Sequence, residues 1–144
     1  MQTFLPYPNF TLSAQCLDNR RLNKQITEAM QIHNVLTGAS NGWANHPAVK
    51  MWRGHESALV RYGRALYVEW RLRWRGGRRG GRLEHKAGEF FMRRSYHGPN
   101  PSWLGNEAFH AAHRSNLLRK DAAWYDRFGW AETAGLPYVW PIGD

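Results

Sequence analysis

The chain has 144 residues, and its 20 Lys and Arg outnumber 11 Asp and Glu to give a formal net charge of +9 and a pI of about 10.3. Eight Trp, six Tyr and six Phe in a composition that is 42% hydrophobic supply enough apolar surface for one folded core, which argues against disorder. The single cysteine, Cys16, leaves no intramolecular disulfide, no charged leader precedes an apolar stretch, and no apolar run approaches the about 20 residues that span a bilayer. The expectation is a cytoplasmic, monomeric protein with no membrane partner, whose excess charge calls for a polyanion.

In chain order, Asp18 reads as the N-cap of a first helix in which Leu22, Ile26, Ala29, Met30, His33 and Leu36 recur at three-to-four spacing until Gly38. A loop of small and polar residues follows from Gly38 to Asn45. Pro47 then opens a short helix that Gly54 breaks. A long helix from His55 to Arg75 carries the stripe Leu59, Tyr62, Leu66, Trp70 and Trp74, with Arg61, Arg64, Arg71 and Arg73 off it. The glycines between Gly76 and Gly81 stop any helix. Pro99, Pro101 and Gly105 mark another loop, Asn106 caps a helix through Lys120, and Asp121 caps a short one ending at Gly129. The tail from Gly135 to Asp144 packs irregularly. No strand-like alternation is sustained, so the expected fold is all-α: a compact single domain over residues 1–144, with about three main helices, a basic Gly/Arg loop and an irregular C-terminal tail.

The basic residues are concentrated. Nine of the 20 fall between Arg71 and Arg94, and Arg78, Arg79 and Arg82 sit among glycines whose backbone can approach a phosphate closely. Further on, Arg114, Asn116, Arg119 and Lys120 run into Trp124 and Tyr125, interleaving cations with flat rings as a nucleic-acid surface requires. Adjacent helical residues point about 100° apart, so one of Trp124 and Tyr125 is expected to anchor the core and the other to face the nucleic acid. His46, Lys50 and Arg53 add to the candidate contacts. His110 and His113 stand at i,i+3 but lack the three or four ligands that zinc needs, and no metal or other cofactor is expected.

Three blocks, taken in order and spacing, carry a family resemblance. They are Leu17, Arg20, Arg21, Leu22 and Lys24 in the opening helix; His46-Pro47 through Gly54-His55 to Trp74-Arg75-Gly76; and Arg114, Lys120, Trp124-Tyr125 and Phe128-Gly129. Together they resemble the pyrimidine-dimer DNA glycosylases of the phage endonuclease V type. The resemblance implies an all-α enzyme, intracellular and nucleoid-associated or phage-encoded, that acts on double-stranded DNA carrying damaged or modified pyrimidines. It also implies attack by an amine on the anomeric carbon, a Schiff base, and β-elimination at the resulting abasic site.

In that family the amine is the N-terminus. An α-amino group has a pKa of about 7.7 to 8.0 and is substantially unprotonated near neutrality, whereas a lysine at about 10.4 is free only to about 0.1%. Gln2 is too bulky to favour removal of the initiator, which leaves Met1 as the terminal residue, with Lys24, whose pKa the neighbouring Arg20 and Arg21 could lower, as the alternative amine. The family's catalytic glutamate follows an arginine, where this chain has Arg21. Asp18 and Glu28 are the nearest carboxylates; Asp18 is explained as a cap, and Glu28 lies one turn beyond Lys24 and two beyond Arg20 on the same face. Glu28 is therefore either the catalyst or the surface partner of Lys24. Two other classes stay open: a nucleic-acid-binding module without chemistry, and a metal-dependent nuclease.

Overall fold

The computed structural model describes residues 1–74 and 86–141. Seven helices, and no strand, occur among them: α1 (Phe10–Cys16), α2 (Asn19–Leu36), α3 (Pro47–Lys50), α4 (Glu56–Arg73), α5 (Lys86–Met92), α6 (Glu107–Lys120) and α7 (Ala122–Tyr125), the last continuing as a single 3-10 turn, Asp126–Phe128. The all-α expectation holds. The Gly/Arg loop with Arg78, Arg79 and Arg82 lies outside the described residues.

The two long helices form where the apolar spacing places them. Leu22, Ile26, Ala29 and Ile32 of α2, and Ala58, Leu59, Tyr62 and Leu66 of α4, are buried against one another, and α1 and α5 pack on the flanks of α4. Gly38, in the left-handed region at φ +86°, follows α2 as a helix-terminating residue should. The Asn106 side chain accepts the Phe109 N–H at the start of α6, and the Asp121 side chain accepts the Trp124 N–H at the start of α7.

Two helices were not visible in the periodicity. α1 is only two turns long and is started by the Asn9 side chain, which accepts the Leu12 N–H at 2.8 Å. α5 is held by tertiary fit: a methyl group on Gly63 of α4 would fall 2.5 Å from the Phe91 ring, and one on Gly88 of α5 would fall 2.1 Å from the Tyr67 ring. The two helices approach through glycines. Asp18 also departs from its expected role: its backbone carbonyl begins α2, but its carboxylate makes no capping bond and instead receives the Tyr125 hydroxyl and Arg21.

Candidate active site

Residues 2–6 are buried yet belong to no helix, so their backbone groups need partners that regular structure does not provide. Side chains from α2, α4 and α6 provide them. Gln2 N–H donates to Glu28 Oε2 at 3.3 Å, and the Gln2 carbonyl accepts from Gln25 Nε2 at 2.8 Å. Phe4 N–H donates to Gln25 Oε1 and its carbonyl accepts from the Tyr62 hydroxyl, while Trp52 Nε1 donates to the Thr3 hydroxyl. Leu5 is gripped from both sides: its N–H donates to His113 Nδ1 and its carbonyl accepts from His110 Nδ1, each at 2.7 Å. The Pro6 carbonyl accepts from Arg114 at 2.8 Å. The chain end is thereby fixed in register with α2, and Met1 lies half-buried against the core.

The two histidines work as neutral groups. His110 accepts the Gly105 N–H on Nε2, which leaves its proton on Nδ1 for the Leu5 carbonyl. His113 must present a lone pair on Nδ1, and burial, with a smaller contribution from His110, pushes its pKa down to about 3. Their i,i+3 spacing serves the Leu5 peptide, and among the described residues no group of three or more His, Cys, Asp or Glu is placed to hold a metal ion.

Glu28 is 9% exposed, and its carboxylate faces the first peptide of the chain. Oε2 receives Gln2 N–H and, at 2.9 Å, Gln25 Nε2; Oε1 faces Lys24 Nζ at 3.8 Å, whose side chain is 72% exposed. A surface ion pair does not describe this arrangement, because the carboxylate is held from the N-terminal side by neutral donors and Lys24 only approaches its open edge. Lys24 contacts that carboxylate, whereas Arg21 is paired with Asp18 at 3.2 Å. The Lys120 ammonium is pushed below its usual pKa by burial and then by Arg119, Arg21 and Lys24, with Glu28 opposing. Arg21, Lys24, Arg119 and Lys120 thus share one field with Glu28. Arg20, Lys50 and Arg53 are exposed.

Two of the contacts expected of α6, Arg114 and Asn116, are turned into the fold, and the aromatic pair of α7 divides into one buried and one half-buried ring. Arg114 is buried and saturated by Glu107, by Glu132 at 2.7 Å and by the Pro6 carbonyl. Asn116 is buried and donates to the Ala112 and Leu136 carbonyls. Tyr125 is fully buried with its hydroxyl on Asp18, as one of the aromatic pair was expected to be. Trp124 is only half-buried, but its Nε1 donates to the Cys16 carbonyl and Arg127 covers its ring at 3.9 Å. Periodicity could not separate these residues from Arg119 and Lys120, because Glu132, which binds Arg114 along with Glu107, and the tail that covers Asn116 come from beyond the helix.

His46 stands at the start of α3, where Nδ1 accepts the Ala48 N–H. Its pKa is lowered by burial and then by the charge of the chain's N-terminus, with Glu28 opposing. A cavity of about 470 Å³ between α1 and α4, lined by Phe10, Arg61, Arg64, Val68 and Leu72 among others, contains none of these groups. Gln2, Thr3, Gln25, Trp52, Tyr62 and the histidine pair were missed as site residues because their role is to hold a backbone that has no sequence signature of its own.

The family model for pyrimidine dimer DNA glycosylase matches residues 1–80, which include the buried N-terminal segment, Gln25, Glu28, His46 and Tyr62. No curated protein and no solved structure gives a match.

Proposed function

The chain belongs to the pyrimidine dimer DNA glycosylase family, and from that premise we propose that it cuts the glycosidic bond of a damaged pyrimidine through a covalent imine and then breaks the strand at the abasic site. The Met1 α-amine attacks C1′ of the damaged nucleotide. The bond from C1′ to the base breaks, its electron pair leaves with the base, and the base takes up a proton. Glu28 accepts the proton lost by the attacking amine and stabilises positive charge on the sugar. Opening of the sugar ring, with a proton delivered to O4′, leaves a protonated imine at C1′. That group acidifies C2′; loss of a C2′ proton expels the 3′ phosphate as the C3′–O bond breaks, and water then hydrolyses the imine to restore the amine.

The observation that carries this reading is the bond from Gln2 N–H to Glu28, which supports a buried carboxylate one peptide unit from the amine. Lys24, in contact with Glu28, and Arg21, Arg119 and Lys120, which act on the same field, suit phosphates of a bound strand, and the exposed Arg20, Lys50 and Arg53 add to that charge. Arg78, Arg79 and Arg82 are proposed to extend it. Lys24, exposed and 3.8 Å from Glu28, is the alternative amine.

A duplex carrying one pyrimidine dimer tests the reading. In the presence of EDTA the protein should cut the glycosidic bond of one pyrimidine of the dimer, leaving that base attached to its neighbour, and nick the strand, and Glu28→Gln should slow both by about a hundredfold or more while duplex binding persists. Activity abolished by EDTA would point to a metal-dependent nuclease. Binding without turnover by the unaltered protein would leave a nucleic-acid-binding module.

A further inference from the structure

One side chain of α2 binds both the chain end and the carboxylate beside it. Gln25 is 2% exposed, and all the hydrogen-bonding capacity of its amide is used. Oε1 accepts the Phe4 N–H at 2.9 Å and faces the Tyr62 hydroxyl, also at 2.9 Å. Nε2 donates to the Gln2 carbonyl at 2.8 Å and to Glu28 Oε2 at 2.9 Å. A backbone N–H can only donate and a backbone carbonyl can only accept, so Phe4 and Gln2 together fix which end of the amide is oxygen. Nε2 is therefore obliged to face Glu28.

That obligation decides which oxygen of the carboxylate is free. Oε2 also receives the Gln2 N–H, at 3.3 Å, so both of its lone pairs are engaged. Among the described residues Oε1 meets only Lys24, at 3.8 Å on the open edge. The i,i+3 spacing of Gln25 and Glu28 sets amide and carboxylate on one face of α2. Without the amide, Oε2 would keep a single, longer bond to the first peptide, and the exposed Lys24 ammonium would draw the carboxylate outward.

Resting on the glycosylase reading, we propose that Gln25 is a positioning residue: through one amide it holds the Gln2 to Phe4 backbone and Glu28 in register, and it leaves Oε1 as the oxygen that takes the proton of the attacking amine. In that step an N–H bond of the amine breaks as an O–H bond forms at Oε1. The electron pair of the broken bond stays on nitrogen, where ring opening later uses it to form the imine. Gln25 itself touches no reacting atom and acts through Glu28.

The test is a double-mutant cycle read by single-turnover borohydride trapping on abasic duplex with the protein in saturating excess, so that the rate reports chemistry and not binding. Gln25→Leu should slow trapping by about tenfold or more with duplex affinity unchanged, and Glu28→Gln by about a hundredfold or more. Adding Gln25→Leu to Glu28→Gln should cost less than about a further twofold, since effects that pass through one group do not multiply. Gln25→Glu keeps an acceptor for the Phe4 N–H and so spares the fold if leucine does not. Its acid offers one proton where the amide offers two, and it too should slow trapping. Thermal unfolding checks that each variant is folded. Trapping at the normal rate by either folded Gln25 variant, or a loss confined to duplex affinity, would overturn the inference. So would an equal loss from Gln25→Leu with and without Glu28→Gln, because Gln25 would then serve the backbone alone. If the unaltered protein does not trap, or Glu28→Gln traps at the normal rate, the glycosylase reading itself fails and takes this inference with it.

Discussion

At the residue scale, two buried charges on this protein have opposite characters. Arg114 is matched by two carboxylates and a carbonyl, so its guanidinium is spent inside the fold, whereas Glu28 has neutral donors on one side and an open edge on the other. Arg114→Ala strands Glu132 and the Pro6 carbonyl and is expected to cost about 3 kcal/mol in urea unfolding while leaving the salt dependence of DNA binding unchanged. Lys120→Ala should do the reverse, keeping stability and reducing the slope of log K against log salt by about 0.9. His113 supplies a pH signature. Its folded-state pKa of about 3 lies below the ordinary histidine value of 6.5. Between those values the unfolded chain binds the extra proton, so this contribution to stability is complete above pH 6.5 and is lost as pH falls toward 3, by up to about 1.4 kcal/mol per unit. Denaturation series from pH 7 to 4 should show that slope, reduced in His113→Asn.

At the scale of elements, the close approach of α4 and α5 rests on Gly63 and Gly88. Alanine is the better helix former by about 1 kcal/mol. At Gly63 its methyl group would meet the Phe91 ring at 2.5 Å, so overpacking should win and Gly63→Ala should destabilise by about 1 to 3 kcal/mol, read as a lower urea midpoint. The same contact explains what was legible in the sequence. α2 and α4 announce themselves through long apolar periods, and α3, α6 and α7 through Pro47, Asn106 and Asp121 at their starts; α1 and α5 have seven residues each, and their positions depend on partners distant in the chain. The site follows the same division. Glu28 could be picked out by its spacing from Lys24 and Arg20, but the burial that separates it from a surface ion pair comes from Gln2 and Gln25. The pair His110 and His113 was visible as a motif, and only the fold shows that its object is the Leu5 peptide.

At the scale of the whole molecule, the two halves of the chain contribute different things. Residues 1–80, where the family match lies, hold the N-terminal segment and Glu28, while α6 beyond the match supplies Lys120 and the histidine grip. Both halves converge on the first residue. A net charge of +9 suits a DNA substrate for the molecule as a whole, but the proposed chemistry lies at one amine, whose neighbouring Gln2 peptide is held by the Glu28 carboxylate and whose following backbone is clamped by histidine. The direct test is borohydride trapping on an abasic duplex followed by peptide mapping of the adduct. The adduct is expected on Met1, to disappear when the N-terminus is acetylated or extended, and to survive Lys24→Ala; an adduct that persists on the blocked protein, or that maps to Lys24 or Lys120, would contradict the account.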